Sequence, residues 1–349
     1  MAKETVVTQE QIARQLGISR QLVTFALAGY PQVAKASRQR ILTAARELGY
    51  RPNPHARALQ RKRTGLIALW IPDQISTHYS HVARELNRLV KQARHELIVS
   101  EVGPTGAKQI LTHVPVDGVI AVDFPGQMKT FSQARTILSV PLVSMGTVGH
   151  GETDSVQVDF RAGTQAAMNH LLDSGYRHIA HATFMQNNRS FDPRRLGYQG
   201  AMRTAGLKPE YIYYPLTERQ RPVTRRLIQD YIHQHGCPEA IFCHSDDAAL
   251  GIYRGLCDLK LRVPEDVALA GCDGIEDTEY LECPLTTLVQ PVTEMCAAAW
   301  AFLLKRLEQP EIKMQSLILE PKLAIRESTT QKVNSSETAL PHENLKQKK

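Results

Sequence analysis

The chain has 349 residues, long enough for two or three hydrophobic cores, with 42 Lys and Arg against 35 Asp and Glu. Residues 1–63 hold 12 basic and 3 acidic side chains, or +9, and the rest hold 30 and 32, or −2. This asymmetry favours a nucleic-acid-binding module on a near-neutral ligand-binding or catalytic body. Because no apolar run approaches the roughly 20 residues of a membrane span and no signal-peptide core is present, a cytoplasmic location is expected.

The stretch 8–27 predicts two short helices joined by a tight turn. Thr8 followed by Gln11 is typical of a capping box, and Gly17 can adopt the positive φ that ends a helix. Ser19 is expected to cap the second helix. The buried stripe of that helix is predicted to consist of Leu22, Val23, Ala26 and Leu27. Two such helices are what a helix-turn-helix needs to enter a major groove about 12 Å wide.

A third helix is predicted after Gly29, capped by Ser37 and closed by Gly49. Its inward side chains are expected to be Ile41, Leu42, Ala45 and Leu48. Asn53 can cap a further short helix over 54–59, and a basic run, Arg61-Lys62-Arg63, follows.

From Thr64 strands and helices alternate. Gly65 to Ile71 is a continuous apolar run, typical of a buried parallel strand, and a second run of the same kind begins near Ser155. The alternation predicts α/β lobes of doubly wound parallel sheets with a cleft between them. Ligands of such sheets bind outside the carboxyl ends of the strands, so the cleft is the expected small-molecule site.

The chain closely resembles the lactose-repressor and galactose-repressor family of bacterial transcription regulators. The residues that carry the resemblance in the amino-terminal module are Ile12-Ala13, Gly17-Ile18-Ser19, Val23, Val33, Ser37-Arg38, Leu48-Gly49-Tyr50, Pro52-Asn53 and Leu59. Those of the body include Val116 to Ile120, Gly175 to Ile179, Arg194-x-x-Gly197-Tyr198, Ser245-Asp246, Gly271-x-Asp273 and Pro284 to Pro291. The resemblance implies an N-terminal helix-turn-helix module, a hinge helix and a two-lobed core like that of periplasmic sugar-binding proteins.

The resemblance also implies a division of the chain. The expected parts are 1–52 for the DNA-binding domain, 53–64 for the hinge, 65–326 for the effector-binding and dimerisation core, and 327–349 for a disordered polar tail. Three crossings between the lobes are implied. They assign 65–155 and 288–312 to the first lobe, and 156–287 with 313–327 to the second.

By the resemblance, the first residues of the second helix read DNA. Arg20 and Gln21 would contact bases, since Arg pairs with guanine and Gln with adenine, and Ser19 and Thr24 would hold phosphates. Phe25 stands where the family usually has a base-reading Arg. Phe25 either packs into the module or touches a thymine methyl group, and packing is slightly favoured.

The hinge is implied to work by insertion into DNA. Leu59 matches the leucine that wedges into the minor groove, and Ala56 lets two hinge helices approach closely. The alternative is that Leu59 packs a linker. Fewer than two turns of helix are not stable alone, so this helix, with Asn53 at its cap, should form only on DNA in a dimer.

Six residues are candidates for the effector site: Asp73, Tyr79, Asp159, Arg194, Asp246 and Asp273. Arg194 and Asp273 match the positions where the family clamps polar ligand groups, and Asp246 is the acid beside them or a helix cap. A guanidinium opposite carboxylates suits sugar hydroxyls or a carboxylated ligand. Asp73 and Tyr79 are expected on the opposite wall. Asp159 precedes a Phe where many members have Asn.

Other classes of function are disfavoured. The phosphate-loop spacing and the G-x-S-x-G elbow are absent, so the protein is expected not to be an enzyme, and no catalytic residue, metal site or cofactor is predicted. The six cysteines form no C-x-x-C pair and are expected to be reduced. The expected function is that of a homodimeric, ligand-responsive transcription regulator, most often a repressor in the family, on a near-palindromic operator. The alternative is a ligand-binding protein without DNA readout.

Overall fold

The computed structural model describes the chain in eight segments. They are residues 7–50, 63–72, 76–101, 115–122, 140–147, 153–184, 192–215 and 219–330. The chain divides into two compact units, Met1–Thr64 and Gly65–Lys349. The predictions made for Asn53, Ala56, Leu59 and Asp73 lie outside the described residues.

The described part of the amino-terminal unit contains three helices. They are α1 Gln9–Leu16, α2 Arg20–Ala28 and α3 Lys35–Glu47. The capping box of Thr8 and Gln11 is confirmed, Gly17 ends α1 with φ 65°, and the Ser19 hydroxyl accepts from the amide of Leu22 at 3.2 Å. These local signals therefore place the turn between α1 and α2 as the sequence predicts.

Two details of the third helix were predicted wrongly. The helix begins at Lys35, with Ala34 at its N-cap and no side-chain cap, so Ser37 lies within the first turn. Leu42 is 37% exposed, whereas Ala44 is buried. Ile41, Ala44 and Ala45 follow the i, i+3, i+4 spacing of one helix face, and Leu42 falls one position off that face.

The body of the chain contains two six-stranded sheets. The first has the order β11-β5-β4-β3-β1-β2, and the second has the order β12-β10-β9-β8-β6-β7. The strands of the first sheet are β1 Leu66–Ile71, β2 Glu96–Glu101, β3 Gly118–Val122, β4 Leu142–Gly146, β5 Asp154–Val158 and β11 Ser316–Leu319. Those of the second are β6 Ile179–Phe184, β7 Glu210–Tyr214, β8 Ala240–Cys243, β9 Ala268–Asp273, β10 Thr286–Val289 and β12 Lys322–Ala324. All pairs are parallel except β10 with β12.

Helices pack beside these sheets. They are α4 Thr77–Gln92, α5 Phe160–Asp173, α6 Pro193–Thr204, α7 Gln220–His235, α8 Asp246–Asp258 and α9 Val292–Glu308. Helices α4 and α9 contact each other and the first sheet, and α5 contacts α6 and the second. Among the residues that the structure describes, no helix is both long and apolar enough to cross a bilayer.

The chain crosses between the lobes three times, as predicted, but three stretches were assigned to the wrong lobe. Strand β5 lies inside the first sheet, and β11 pairs beside it with Ser316 opposite Ser155. Residues 156–158 and 316–319 therefore belong to the first lobe. Residues 288–289 belong to the second lobe, because β10 runs to Val289 within the second sheet. The return to the second lobe comes only between β11 and β12, because β11 continues the parallel first sheet as its edge strand.

The prediction that a disordered tail begins at residue 327 was wrong. Glu327–Thr329 form a 3₁₀ turn in which Ser328 and Thr329 are fully buried. The Ser328 hydroxyl accepts from the amide of Thr286 at 2.7 Å and lies 2.6 Å from the carbonyl oxygen of Leu269. Polar composition suggested a tail, but partners for each hydroxyl in the second sheet allow these residues to be buried.

A buried ion pair anchors the edge of the first lobe. The carboxylate of Asp154 accepts from Arg306 Nε at 3.0 Å and Nη2 at 2.8 Å, and from the amide of Gln315 at 2.8 Å. Burial opposes ionisation, but these hydrogen bonds hold the pKa of Asp154 below its ordinary value. The pair thereby ties β5 to α9 and to the segment that leads into β11.

Candidate DNA-reading and effector sites

The amino-terminal end of α2 presents polar side chains to solvent. Arg20 and Gln21 are exposed, while Val23 and Ala26 are buried against the other helices. The Ser19 hydroxyl accepts a hydrogen bond from the Leu22 amide, so Ser19 acts as the N-cap of α2. The geometry leaves Arg20 and Gln21 available for base edges.

Thr24 belongs to a hydrogen-bond network that the sequence did not reveal. Its hydroxyl lies 2.8 Å from Gln9 Oε1, and Gln9 Nε2 donates to the Tyr50 hydroxyl at 3.0 Å. The network links α2 to the start of α1 and to Tyr50, three residues after the end of α3. Thr24 thus orients the reading helix within the unit.

Phe25 packs within the module. The side chain is half-buried against the core of the three helices, and its ring centroid lies 5.2 Å from that of Tyr30. This placement fits the packing interpretation of Phe25 better than contact with a thymine methyl group.

Arg194 is the centre of the polar site in the second lobe. The residue is 4% exposed, its guanidinium carbon lies 3.5 Å from the centroid of the Phe160 ring, and Nε donates to Cys272 Sγ at 3.3 Å. Nη2 lies 3.7 Å from Asp273 Oδ1. Burial works against the charge, but the neighbouring thiol and Asp273 raise the pKa of Arg194 overall, so it stays a cation.

Asp273 is the last residue of β9 and has a φ of 135°, which is unusual for a residue other than glycine. The residue is 8% exposed, and Oδ1 accepts from Gln290 Nε2 at 2.7 Å. Arg194 and Gln290 therefore hold the carboxylate from two sides. Such strain is found where the surrounding structure fixes a functional group.

Asp246 is fully buried and supports the turn that follows Asp273. Its carboxylate accepts from the amides of Gly274 at 2.7 Å and Ile275 at 3.0 Å, and from the Thr287 hydroxyl at 2.7 Å. The cap of α8 is Ser245, so the cap alternative for Asp246 is not what the structure shows. Burial and the charge of Asp273 raise the pKa of Asp246.

The two other predicted effector residues that the structure describes, Tyr79 and Asp159, lie at helix starts. Asp159 caps α5 by accepting from the Ala162 amide at 3.0 Å and leads directly into Phe160, the ring beneath Arg194. Tyr79 is half-buried in α4 against the core of the first lobe, with its ring 5.2 Å from that of His78. The sequence analysis missed the contributions of Phe160, Cys272 and Gln290 to the site.

A second polar cluster joins residues that are far apart in sequence. Asp192 caps α6, and its Oδ2 lies 3.2 Å from Nδ1 of His244. His181 is fully buried nearby, and burial lowers its pKa to about 4, so the ring is neutral. His244, Ser245 and Asp246 each have a separate partner and do not form a catalytic relay.

The two lobes contact each other through an interlobe bridge of Ser76, Thr77, Arg221 and Asp247. Ser76 Oγ donates to Asp247 Oδ2 at 2.9 Å. Arg221 donates from Nε to Asp247 Oδ1 at 2.8 Å and from Nη2 to Thr77 Oγ1 at 3.0 Å. A cavity of about 450 Å³ is lined by Arg221, but none of the five predicted effector residues that the structure describes lines it.

Comparisons with known proteins agree with this architecture. Residues 8–53 match the model of bacterial regulatory proteins of the lacI family, and residues 168–329 match a periplasmic binding protein-like domain. The ribose operon repressor of Haemophilus influenzae is 28% identical over 93% of this chain and 98% of its own length. The transcriptional repressor CytR of Escherichia coli K12 is 27% identical, over 94% of this chain and 97% of its own length.

The chain thus joins a segment of the lacI family of bacterial regulatory proteins to a periplasmic binding protein-like domain. The fold agrees with that of the lac repressor dimer bound to operator and the anti-inducer ONPF, at a TM-score of 0.80 and 22% identity over 93% of this chain and 99% of the other. A lacI-family protein is a DNA-binding transcription regulator, and the helices α1 to α3 with the two-lobed body are the parts that this role requires.

Proposed function

We propose that the protein is a homodimeric repressor that binds a near-palindromic operator and responds to a sugar or sugar-like metabolite between its lobes. Its working parts would be the DNA-binding domain 1–52, the hinge 53–64 and a core from 65 to about 330. Since it would act on chromosomal DNA, its place of action would be the cytoplasm. The role is one of binding, and we assign the chain no catalysed reaction.

The observation that carries the DNA-binding role is the capped reading helix. Arg20 and Gln21 stand exposed in the first turn of α2, where a helix that enters the major groove presents its side chains to bases. The network of Gln9, Thr24 and Tyr50 holds that helix at a defined angle to its neighbours. A rigid support of this kind is what sequence-specific readout needs.

The hinge would couple two copies to one operator. We propose that Leu59 inserts into the minor groove while Ala56 lets paired hinge helices meet, with Asn53 at the start of each helix. The lac repressor was solved as a dimer on its operator, which supports a dimer of this chain on DNA. Half-sites would then lie about one helical turn apart or a multiple of it.

Selection of bound duplexes from a random pool tests this role. We expect a palindrome whose binding weakens steeply with salt, and Arg20→Ala should cost about 1–3 kcal/mol and relax the preference at one base pair of each half-site. Arg88→Ala, in the core unit and paired with Glu85, removes the same charge and should leave the preference unchanged. No enriched sequence, or equal loss in both variants, would contradict readout by α2.

The effector would bind at the carboxyl ends of the second-lobe strands. Arg194, Asp273 and Gln290 offer donors and an acceptor to hydroxyl groups, and the Phe160 ring supports the guanidinium from below. A relative is named a ribose operon repressor, which supports a sugar as the ligand class. We propose Asp73, Tyr79 and Asp159 as further wall residues, with Asp246 positioning Asp273 through the turn at Gly274.

The interlobe bridge would transmit the response. Ser76 and Thr77 lie at the start of α4 in the first lobe, while Arg221 and Asp247 belong to α7 and α8 in the second. A ligand that alters the spacing of the lobes must strengthen or break these hydrogen bonds, and the hinge precedes the first lobe directly. Coupling of this kind requires differential contacts in two states of the core.

The proposed effector site can be tested with a panel of sugars by thermal shift and titration calorimetry. Arg194→Met should weaken the binding of an active sugar at least about tenfold, since charged hydrogen bonds contribute about 1.5–3 kcal/mol. Arg195→Met is a matched control at the next position, where the side chain is half-buried and stacks 4.7 Å from the centroid of the Tyr211 ring. Unchanged affinity in Arg194→Met would remove that residue from the site, and no shift with any sugar would exclude the ligand class.

A further inference from the structure

The second lobe contains a cluster of three metal-ligating side chains, His181, Asp192 and His244, which we name the His-Asp-His cluster. Each offers one ligand atom, and these atoms lie within 4.8 Å of one another. His181 is in β6 and is paired in register with Phe242 of β8, two residues before His244. Because side chains two apart on a strand share a face, both imidazoles lie on the same side of the sheet.

His181 is oriented like a metal-bound histidine. Its Nδ1 lies 2.9 Å from the carbonyl oxygen of Phe242, and a carbonyl only accepts, so Nδ1 carries the proton and Nε2 keeps a lone pair. The ring is 0% exposed, and Nε2 has no hydrogen-bond partner among the residues that the structure describes. Metal-ligating imidazoles commonly donate their other N–H to a backbone carbonyl in this way.

Asp192 and His244 form the accessible side of the cluster. Oδ2 of Asp192 lies 3.2 Å from Nδ1 of His244, and the two side chains are 8% and 11% exposed. The other oxygen, Oδ1, accepts from the amide of Arg194 at 3.1 Å and so fixes the carboxylate. The guanidinium of Arg194 is hydrogen-bonded to Cys272 and paired with Asp273.

We propose that the His-Asp-His cluster binds a divalent transition-metal ion of the Zn²⁺ class through Nε2 of His181, a carboxylate oxygen of Asp192 and a ring nitrogen of His244. Two imidazoles and one carboxylate are a ligand set that Zn²⁺ favours, and bonds of about 2.0–2.1 Å would place the donors roughly 3.3 Å apart. The Asp192–His244 separation of 3.2 Å already meets that spacing. Three protein ligands leave a position for water or an oxygen of a bound ligand.

The competing interpretation is an Asp-His hydrogen bond beside a structural core histidine. Under that interpretation the full-length protein would bind Zn²⁺ no more tightly than its variants do. The proposal depends neither on the operator nor on the sugar, because Zn²⁺ alone is the probe.

The first test is competition for Zn²⁺ between the full chain and a chromophoric chelator. Wild type should hold one equivalent more tightly than Asp192→Asn or His244→Gln, with a loss of roughly 100-fold or more, since even residues that only support a ligand contribute 10- to 100-fold. Asparagine keeps a cap acceptor for α6. His178→Gln is the control, because His178 is half-exposed at the start of β6 and is paired with Glu210 at 2.7 Å, and it should bind as wild type does.

A second measurement uses wild type alone and so does not depend on the folding of any variant. Imidazole ¹⁵N resonances of His181 should show an unprotonated Nε2 that shifts on addition of one equivalent of Zn²⁺. Equal Zn²⁺ affinity in wild type and both cluster variants would overturn the proposal. An unmoved His181 Nε2 resonance in zinc-loaded wild type would do the same, since binding would then fall elsewhere, such as at the six cysteines.

Discussion

The two lobes share one sheet topology but differ in what their strands bury. In the first lobe the central strands β1, β3 and β4 bury almost entirely apolar side chains, and the buried ion pair of Asp154 and Arg306 lies toward the edge of the sheet. In the second lobe His181, Asp246 and Asp273 are buried on or beside the central strands. The two lobes therefore have similar folds, but the centre of the first is packed with apolar side chains and the centre of the second contains buried polar groups.

The difference indicates where substitutions have large consequences. Apolar neighbours can partly adjust to a substitution by rotamer changes, whereas a buried polar group left without its partner carries the full cost of its desolvation. In the second lobe the groups depend on each other, since Asp246 holds the turn after Asp273 and Gln290 holds Asp273 itself. The second lobe should thus be the more sensitive of the two to single changes.

The largest effect is expected from Asp246→Ala. The change leaves two backbone amides and the Thr287 hydroxyl without their buried acceptor, and we expect the free energy of unfolding to fall by about 3–5 kcal/mol in urea titrations. Asp246→Asn should lose less, because it keeps one acceptor and removes the repulsion from Asp273.

The control for this prediction is on the same helix. Asp258 ends α8 in a surface pair with Arg225, and its loss should cost no more than about 1 kcal/mol. If Asp246→Ala and Asp258→Ala destabilise the protein equally, the turn after Asp273 is not held by Asp246.

Substitution of one strand glycine in each lobe tests the same difference, with losses of stability of intermediate size. A Cβ added at Gly271 would lie 2.1 Å from Asp246 Oδ1, whereas one added at Gly118 would lie 2.7 Å from Cδ1 of Leu303. The leucine tip can move, but the carboxylate is held by its three donors. We expect Gly271→Ala to cost about 2–3 kcal/mol and Gly118→Ala about 1 kcal/mol or less, measured by thermal and urea unfolding.

Gly200→Ala provides the reference for that pair, because nothing lies within 4 Å of its added Cβ in α6. In a helix this change should stabilise the protein by roughly 0.5–1 kcal/mol. A Gly118→Ala loss that matches that of Gly271→Ala would show that the first lobe is as rigid as the second.

The sequence predicted most of the features that depend on neighbouring residues, although the cap at Ser37 was predicted wrongly. The capping box at Thr8, the glycine turn and the cap at Ser19 depend on contacts three or four residues apart, and all are present. The alternation of apolar strands and amphipathic helices likewise predicted two parallel sheets. The assignment of β11 was wrong for a different reason. The sheet that an edge strand joins is decided by its partner, here β5, and not by its own residues.

Only those residues of the candidate site that the family resemblance implies were predicted. Arg194 and Asp273 do come together, but Phe160 beneath the guanidinium and Gln290 on the carboxylate lie far away in sequence. The His-Asp-His cluster shows the same limit, since Asp192 lies 11 positions after His181 and His244 lies a further 52 positions along the chain. No spacing rule for short motifs covers such distances. His181 and His244 are brought together because β6 and β8 are neighbouring strands of the sheet.

The smallest effect should come from the interlobe bridge, which joins the two unlike lobes. In a double-mutant cycle of Ser76→Ala and Asp247→Ala we expect a coupling energy of about 1 kcal/mol, because the pair is a charged hydrogen bond that is partly open to solvent. Small-angle scattering should show a larger radius of gyration in either variant if the bridge keeps the lobes close. Arg225→Ala, which breaks a pair inside the second lobe, should leave the radius unchanged. An additive cycle with no change in radius would mean that the lobes keep their spacing without these four side chains, and that the effector signal passes through the crossing strands.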